Sequence, residues 1–238
     1  MKLDSYIFNY LTGEKLSTGI KVKIPITDNI EEDRISFLVN MVKDKRIIDL
    51  GCIDHLDIIE SKIRNNTWLH KRLVESSQFC IGIDINREGV DYIRRLGYKN
   101  VYAGDILEDE EIRELILSQY WDLLVMGEVI EHIENPIFFL KKLREIYKEK
   151  IKYLILTTPN VFSLVHFKLA FLNNIEFINS DHKYYFSPYT LAKVMTISGF
   201  RVISFYLVNS HRPRRFYSKL LYRLRPILRD TLIVIGGF

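Results

Sequence analysis

Cysteine is nearly absent from this chain of 238 residues: Cys52 and Cys80 are the only two, too few for a disulfide framework. Both fall in apolar stretches, which makes them small buried hydrophobes of a reducing compartment. No apolar run approaches the roughly 20 residues that span a bilayer. Asp4, Asn9 and Glu14 interrupt the start of the chain, where a secretory signal needs an unbroken apolar run. The expectation is a cytoplasmic protein. Internal repeats and low-complexity linkers are missing too, so solenoids and strings of tethered modules are excluded. What remains, 47% hydrophobic and 27% charged, suits one large domain or one domain with an appendage.

Acid is lacking in one place. From His211 to Arg229 the chain carries Arg212, Arg214, Arg215, Lys219, Arg223, Arg225 and Arg229 with no Asp or Glu, although the whole chain is only +4. Phe216, Leu220, Leu221, Leu224 and Leu228 are spaced as one apolar stripe, so 211–229 reads as a basic amphipathic helix. Such a helix lies on an anionic membrane or grips a polyanion; alternatively it covers a sheet with its arginines in water. The first option would place the protein peripherally at the inner membrane surface.

What the sequence does contain is an alternation of short apolar runs and helical periods from Arg46 onward. Strands are expected at Arg46 to Leu50, Phe79 to Asp84, Asn100 to Ala103, Trp121 to Met126, Tyr153 to Thr158, Phe200 to Leu207 and Thr231 to Ile235. Helices are expected at His55 to Ser76 with a break at Asn65 and Asn66, Glu88 to Leu96, Glu110 to Gln119, Ile137 to Lys148, and Ser187 to Ser198. Val161 to Leu172 is a further apolar segment, placed to lid a site. The pattern is α/β: a Rossmann-like, doubly wound, seven-stranded, mostly parallel sheet with its last strand antiparallel and helices on both faces. Residues 1–45 read as a lead, a break at Pro25 and a cap helix over Asn29 to Lys43. Residues 46–238 form the main domain, with 211–229 as an insertion.

Chemistry is expected at the carboxyl ends of such strands. Gly51 follows the first strand directly and lets a ligand approach the backbone, although Ile53, Asp54 and His55 stand where further glycines would strengthen the signal. Asp84 ends the second strand, placed to accept from two ribose hydroxyls, and Asp105 follows the third, placed to accept from an exocyclic amine. Each acid could equally be a helix N-cap. Asp84 stands thirty-three residues after Gly51, against roughly twenty in the usual unit, which implies an insertion around Ile58 to His70. After the fourth strand come Glu128, Glu131 and His132; in a helix these share one face at i, i+3 and i+4.

Asp49-Leu50-Gly51-Cys52, Gly82-Ile83-Asp84, Gly104-Asp105, Trp121-Asp122 through Glu128-Val129-Ile130-Glu131-His132, Thr157-Thr158-Pro159-Asn160, Asp181-His182, and Phe186-Ser187-Pro188 with Gly199-Phe200 occur in that order. In this the chain resembles the class I S-adenosylmethionine-dependent methyltransferases, over about Arg46 to Leu207. The resemblance implies that Asp49 and Gly51 meet the methionine part of the cofactor, Asp84 the ribose, Ile85 the adenine face, and Asp105 with Ile106 the adenine edge. Glu128 would face cofactor and substrate. The Glu-x-x-Glu-His run resembles that of small-RNA 2'-O-methyltransferases and some quinone O-methyltransferases. There it implies a divalent cation, Mg2+ or Mn2+, on Glu128, Glu131, His132 and His182. Without a metal, Glu131 and His132 would act as the catalytic base or simply bond locally. The resemblance implies O-methylation of a small-molecule, sugar or lipid-linked glycan acceptor. An RNA ribose acceptor and a non-catalytic cofactor-binding or membrane-surface role are the alternatives.

Overall fold

The computed structural model describes residues 5–24, 33–213 and 216–238. Pro25, the first turn of the expected helix at 29–43, and Arg214 and Arg215 lie outside the described residues. The chain opens with α1 (Ser5–Thr12) and α2 (Arg34–Val42), followed by β1 (Arg46–Leu50), α3 (Leu56–Arg64), α4 (Leu69–Ser76) and β2 (Phe79–Asp84). It continues through α5 (Arg87–Arg95), β3 (Val101–Ala103), α6 (Glu110–Leu117) and β4 (Trp121–Gly127). After a 3-10 turn at Ile130–His132 come α7 (Pro136–Tyr147), β5 (Ile151–Pro159), α8 (Leu164–Asn173) and α9 (Pro188–Ile197). The last elements are β6 (Arg201–Val208), α10 (Phe216–Leu224), a 3-10 turn at Pro226–Leu228 and β7 (Thr231–Gly237).

The unbroken apolar runs become strands because both faces of the sheet are covered. Ile48, Leu50, Ile81, Ile83, Leu124, Met126, Leu154 and Leu156 face a core shared with α6, α7 and α9. Their neighbours Ile47, Cys80, Leu123, Val125 and Ile155 face the opposite way, onto α2 and α4, as a period of two requires. Both cysteines are buried and free. The seven strands lie in the order β3-β2-β1-β4-β5-β7-β6. The first five are parallel to their neighbours, and β7 runs antiparallel between β5 and β6.

The break expected at Asn65 and Asn66 divides His55 to Ser76 into α3 and α4, with Asn66 at φ +60°; other expectations shift. The lead contains a helix, α1, that the expected lead and cap helix did not include; its Ile7 and Leu11 pack on Ala192 of α9. The basic helix is shorter than 211–229: α10 ends at Leu224 because Pro226 offers no N–H and drives Arg225 out of the helical region, to φ −134° and ψ 68°. Among the described residues no helix is long and apolar enough to cross a membrane.

Candidate active site

The strand order reverses between β1 and β4, and there the two carboxyl ends diverge to leave a crevice. Gly51 closes β1 at φ +75°, and a Cβ on it would stand 2.4 Å from Val129 Cγ2. Only glycine lets the two strand-end loops approach this closely. The crevice is a cavity of about 560 Å³ whose wall includes Gly51, Asp54, Glu128, His132 and His182.

On the Gly51 side, polar contacts hold the turn that lacks further glycines. Trp68 Nε1 donates to the Cys52 carbonyl at 3.0 Å. His70 Nδ1 donates to Asp49 Oδ2 at 2.9 Å, and both side chains are buried. Trp68 and His70 come from the start of α4, so the insertion that lengthens the Gly51 to Asp84 interval supplies the turn's support. Asp84 is buried at the end of β2; its Oδ2 accepts from Ile53 N and its Oδ1 from Asn86 N, each at 2.9 Å. Burial pushes its carboxyl above the usual range, against the pull of those two N–H groups, and Asp49's charge adds to the rise. A carboxylate accepts up to four hydrogen bonds, so Asp84 retains capacity for two hydroxyls. Ile85 beside it is 80% exposed, an apolar side chain next to Asn86, which lines the crevice. Asp105 is exposed and accepts from Leu107 N at 2.8 Å. Ile106 packs its side chain into the main core, so a ligand could meet only its backbone.

Across the crevice the expected helix through Glu128 is absent. Gly127 still belongs to β4, Glu128 takes φ +60°, and only Ile130–His132 turn helically, as 3-10. Glu128 therefore does not share a face with Glu131 and His132. Its Oε2 instead lies 3.1 Å from Arg34 Nη1, which leaves Glu128 outside the group that the other three form. Glu131, His132 and His182 do converge, each offering a ligand atom within 4.8 Å of the others. Glu131 is fully buried, and neither carboxylate oxygen has a hydrogen-bond partner. Its pKa is pushed up to about 7, chiefly by burial and further by the charge of Glu128, while its own backbone N–H, the nearby Thr158 hydroxyl and Arg34 oppose the rise. His132 Nδ1 lies 3.1 Å from the Asp181 carbonyl oxygen. Carbonyls only accept, so that nitrogen carries hydrogen and Nε2 is the basic one in the neutral ring. His182 meets His132 edge to face, with ring centroids 4.8 Å apart, and burial, then His132, lowers its pKa.

An orphaned buried carboxylate beside two imidazoles is a donor set that fits a divalent cation. Arg34 had no signal in the sequence, because it belongs to the lead and reaches the site only through the fold. The strap that carries His182 was legible only through the resemblance.

A family model described as "Methyltransferase domain" matches residues 29–205. Magnesium protoporphyrin IX methyltransferase from Synechocystis, with bound SAH, is 16% identical; the likeness covers 85% of this chain and 79% of that one, with a TM-score of 0.52. The small RNA methyltransferase HEN1 is 20% identical over 91% of this chain, which spans only 27% of that protein, with a TM-score of 0.56. A possible histamine N-methyltransferase from Thermotoga maritima is 13% identical, with coverage of 85% and 86% and a TM-score of 0.52. At these identities the structural likeness shows the fold. No curated protein matches the sequence. With the family model spanning most of the chain and the seven-stranded fold in agreement, the chain belongs to the methyltransferase domain family, as a class I S-adenosylmethionine-dependent methyltransferase.

Proposed function

We propose that the protein transfers the methyl group of S-adenosylmethionine to an oxygen of a small-molecule, sugar or lipid-linked glycan acceptor. The observation that carries this is the buried, unpartnered Glu131 carboxylate beside His132 and His182, two imidazoles that line the same crevice as Gly51 and Asp49. The cofactor lies on the Gly51 side, its ribose on Asp84 and its adenine against Ile85. The acceptor hydroxyl lies on the Glu131 side. The acceptor oxygen attacks the methyl carbon, the new O–C bond forms as the C–S bond breaks, and the sulfonium becomes a neutral thioether. His132 Nε2 or Glu131 takes the hydroxyl proton; a base with a pKa near 7 suits that task at neutral pH. Alignment of the two reactants supplies most of the acceleration. Mg2+ or Mn2+, held by Glu131, His132 and His182, would supply a lowered hydroxyl pKa.

Calorimetric titration with S-adenosylmethionine, in EDTA and again with Mn2+, tests this reading. Micromolar binding is expected in both, tighter acceptor turnover with Mn2+, and a loss of about 10²–10⁴ in kcat for His132→Ala. Absence of cofactor binding by folded protein would refute it. An RNA ribose acceptor is the second reading, favoured by the basic stretch before β7. A nucleic-acid affinity that falls steeply with salt would support it.

A further inference from the structure

A second cavity, of about 570 Å³, lies away from the crevice and is lined by Phe162, His166, Phe167, Phe177, Tyr185 and Leu228 among others. It is bounded by α8, by the strap 174–186 and by the 3-10 turn into which α10 runs. That strap also carries His182, so one segment walls both cavities. The Tyr185 hydroxyl donates to the Phe177 carbonyl across it.

The surface around this cavity is anomalous. Leu164–Asn173 is apolar nearly all round, yet none of its residues is buried. A helix of that composition normally sits inside a core or in lipid. Val165 is 51% exposed, Phe167 54%, Phe171 75% and Leu172 69%. Phe167 and Phe171 stack on each other, with ring centroids 5.7 Å apart. α10 repeats the pattern, with Phe216 72% and Tyr217 82% exposed and no buried residue. Lys168 lies on α8, Lys219 and Arg223 on α10, and Arg225 just beyond; no acid occurs between His211 and Arg229. The acid on the cavity wall is Glu176. Exposed apolar surface of this kind marks an interaction surface; α8 borders the cavity whose wall also holds Leu228, four residues past the end of α10, and the cationic frame selects among occupants. Protein interface cores are depleted in lysine, whereas aromatics at the acyl boundary with Lys and Arg at headgroup level describe an interfacial helix.

We propose that α8 and α10 dock on the surface of an anionic lipid bilayer, with the cavity between α8 and the Pro226–Leu228 turn opening toward the acyl chains. The docking does not depend on the reading of the crevice. The full chain is floated with vesicles of phosphatidylcholine alone and of phosphatidylcholine mixed with phosphatidylglycerol, with no cofactor present. Cofactor titration of the same preparation reports the crevice separately, so either reading can fail while the other holds.

The chain is expected to float with the anionic vesicles and to stay behind with the neutral ones. Phe167→Ser with Phe171→Ser should lower the bound fraction about tenfold, through lost apolar burial in the interface. Lys219→Gln with Arg225→Gln should lower it by a similar factor, about tenfold, and high salt should remove that difference. These side chains are exposed, so circular dichroism and cofactor binding should match the parent. Failure to float with anionic vesicles would overturn the proposal, as would flotation that both double variants leave intact. A dimer in ultracentrifugation that Phe167→Ser with Phe171→Ser dissolves would assign the face to a second copy of the chain, and RNA binding without vesicle binding would assign it to nucleic acid.

Discussion

Replacing Glu131 with Gln removes a buried carboxyl whose proton affinity the fold has raised, and stability should then change with pH in one direction only. In the unfolded chain the group titrates near 4.5; in the native site it titrates at about 7. The native state therefore favours the protonated form, and the contribution it makes below the unfolded value is lost as pH rises through the folded one. At about 1.4 kcal/mol for each tenfold change in proton affinity, the full loss is about 3 kcal/mol above neutral pH. Gln cannot ionise, so it escapes this loss. Its amide carries its own desolvation cost, which is the same at every pH, and the slope is the quantity to read. Thermal unfolding of parent and variant should show the variant gaining about 3 kcal/mol, or roughly 6–12 °C in a chain of this size, between acid conditions near pH 4 and alkaline conditions near pH 8. Added Mn2+ should raise the melting temperature of the parent at the alkaline end and leave the variant unmoved. Parallel curves for the two proteins across that range would refute the claim that Glu131 is an orphaned buried acid.

Gly51→Ala should cost about 1–3 kcal/mol and abolish the heat of cofactor binding, because a left-handed backbone and contact with Val129 both oppose a Cβ there; calorimetry and denaturant melts read the two effects. Asp84→Ala should weaken S-adenosylmethionine at least about tenfold while removing the acceptor for Ile53 N and Asn86 N, so its melting temperature should fall together with its affinity. His70→Ala should destabilise by about 3 kcal/mol, since it leaves Asp49 buried without its partner. Its denaturation midpoint, compared with that of an exposed control such as His211→Ala, checks the figure.

Much of the fold was legible because its signal is local. Ile47, Ile48 and Leu50, or Leu123 to Met126, form unbroken apolar runs for the simple reason that both sheet faces are covered. Asp84 and Gly51 were legible as site residues because strand ends are where chemistry collects. The losses are one local turn and several long-range contacts. Glu128 reads as the first member of a helical face until the strand runs one residue further, to Gly127, and the next residue turns left-handed. Arg34 finds Glu128 across ninety-four residues of sequence, and no periodicity announces it. His70 finds Asp49 through an inserted helix, which sequence spacing revealed only as extra length. The exposure of α8 is the reverse case: its composition predicts burial, and the fold leaves it on the surface.

The place of β7 between β5 and β6 also bears on how the chain is made. β6 emerges from the ribosome about thirty residues before the strand that will join it to the sheet, and until then β5 has an open edge and β6 has no partner at all. Pairing that waits on distant sequence is slow, and open edges recruit other chains. The nascent protein thus carries its greatest risk of aggregation in its last stage of synthesis, and conditions that stall translation between Val208 and Thr231 should lower its soluble yield more than a stall anywhere between β1 and β4.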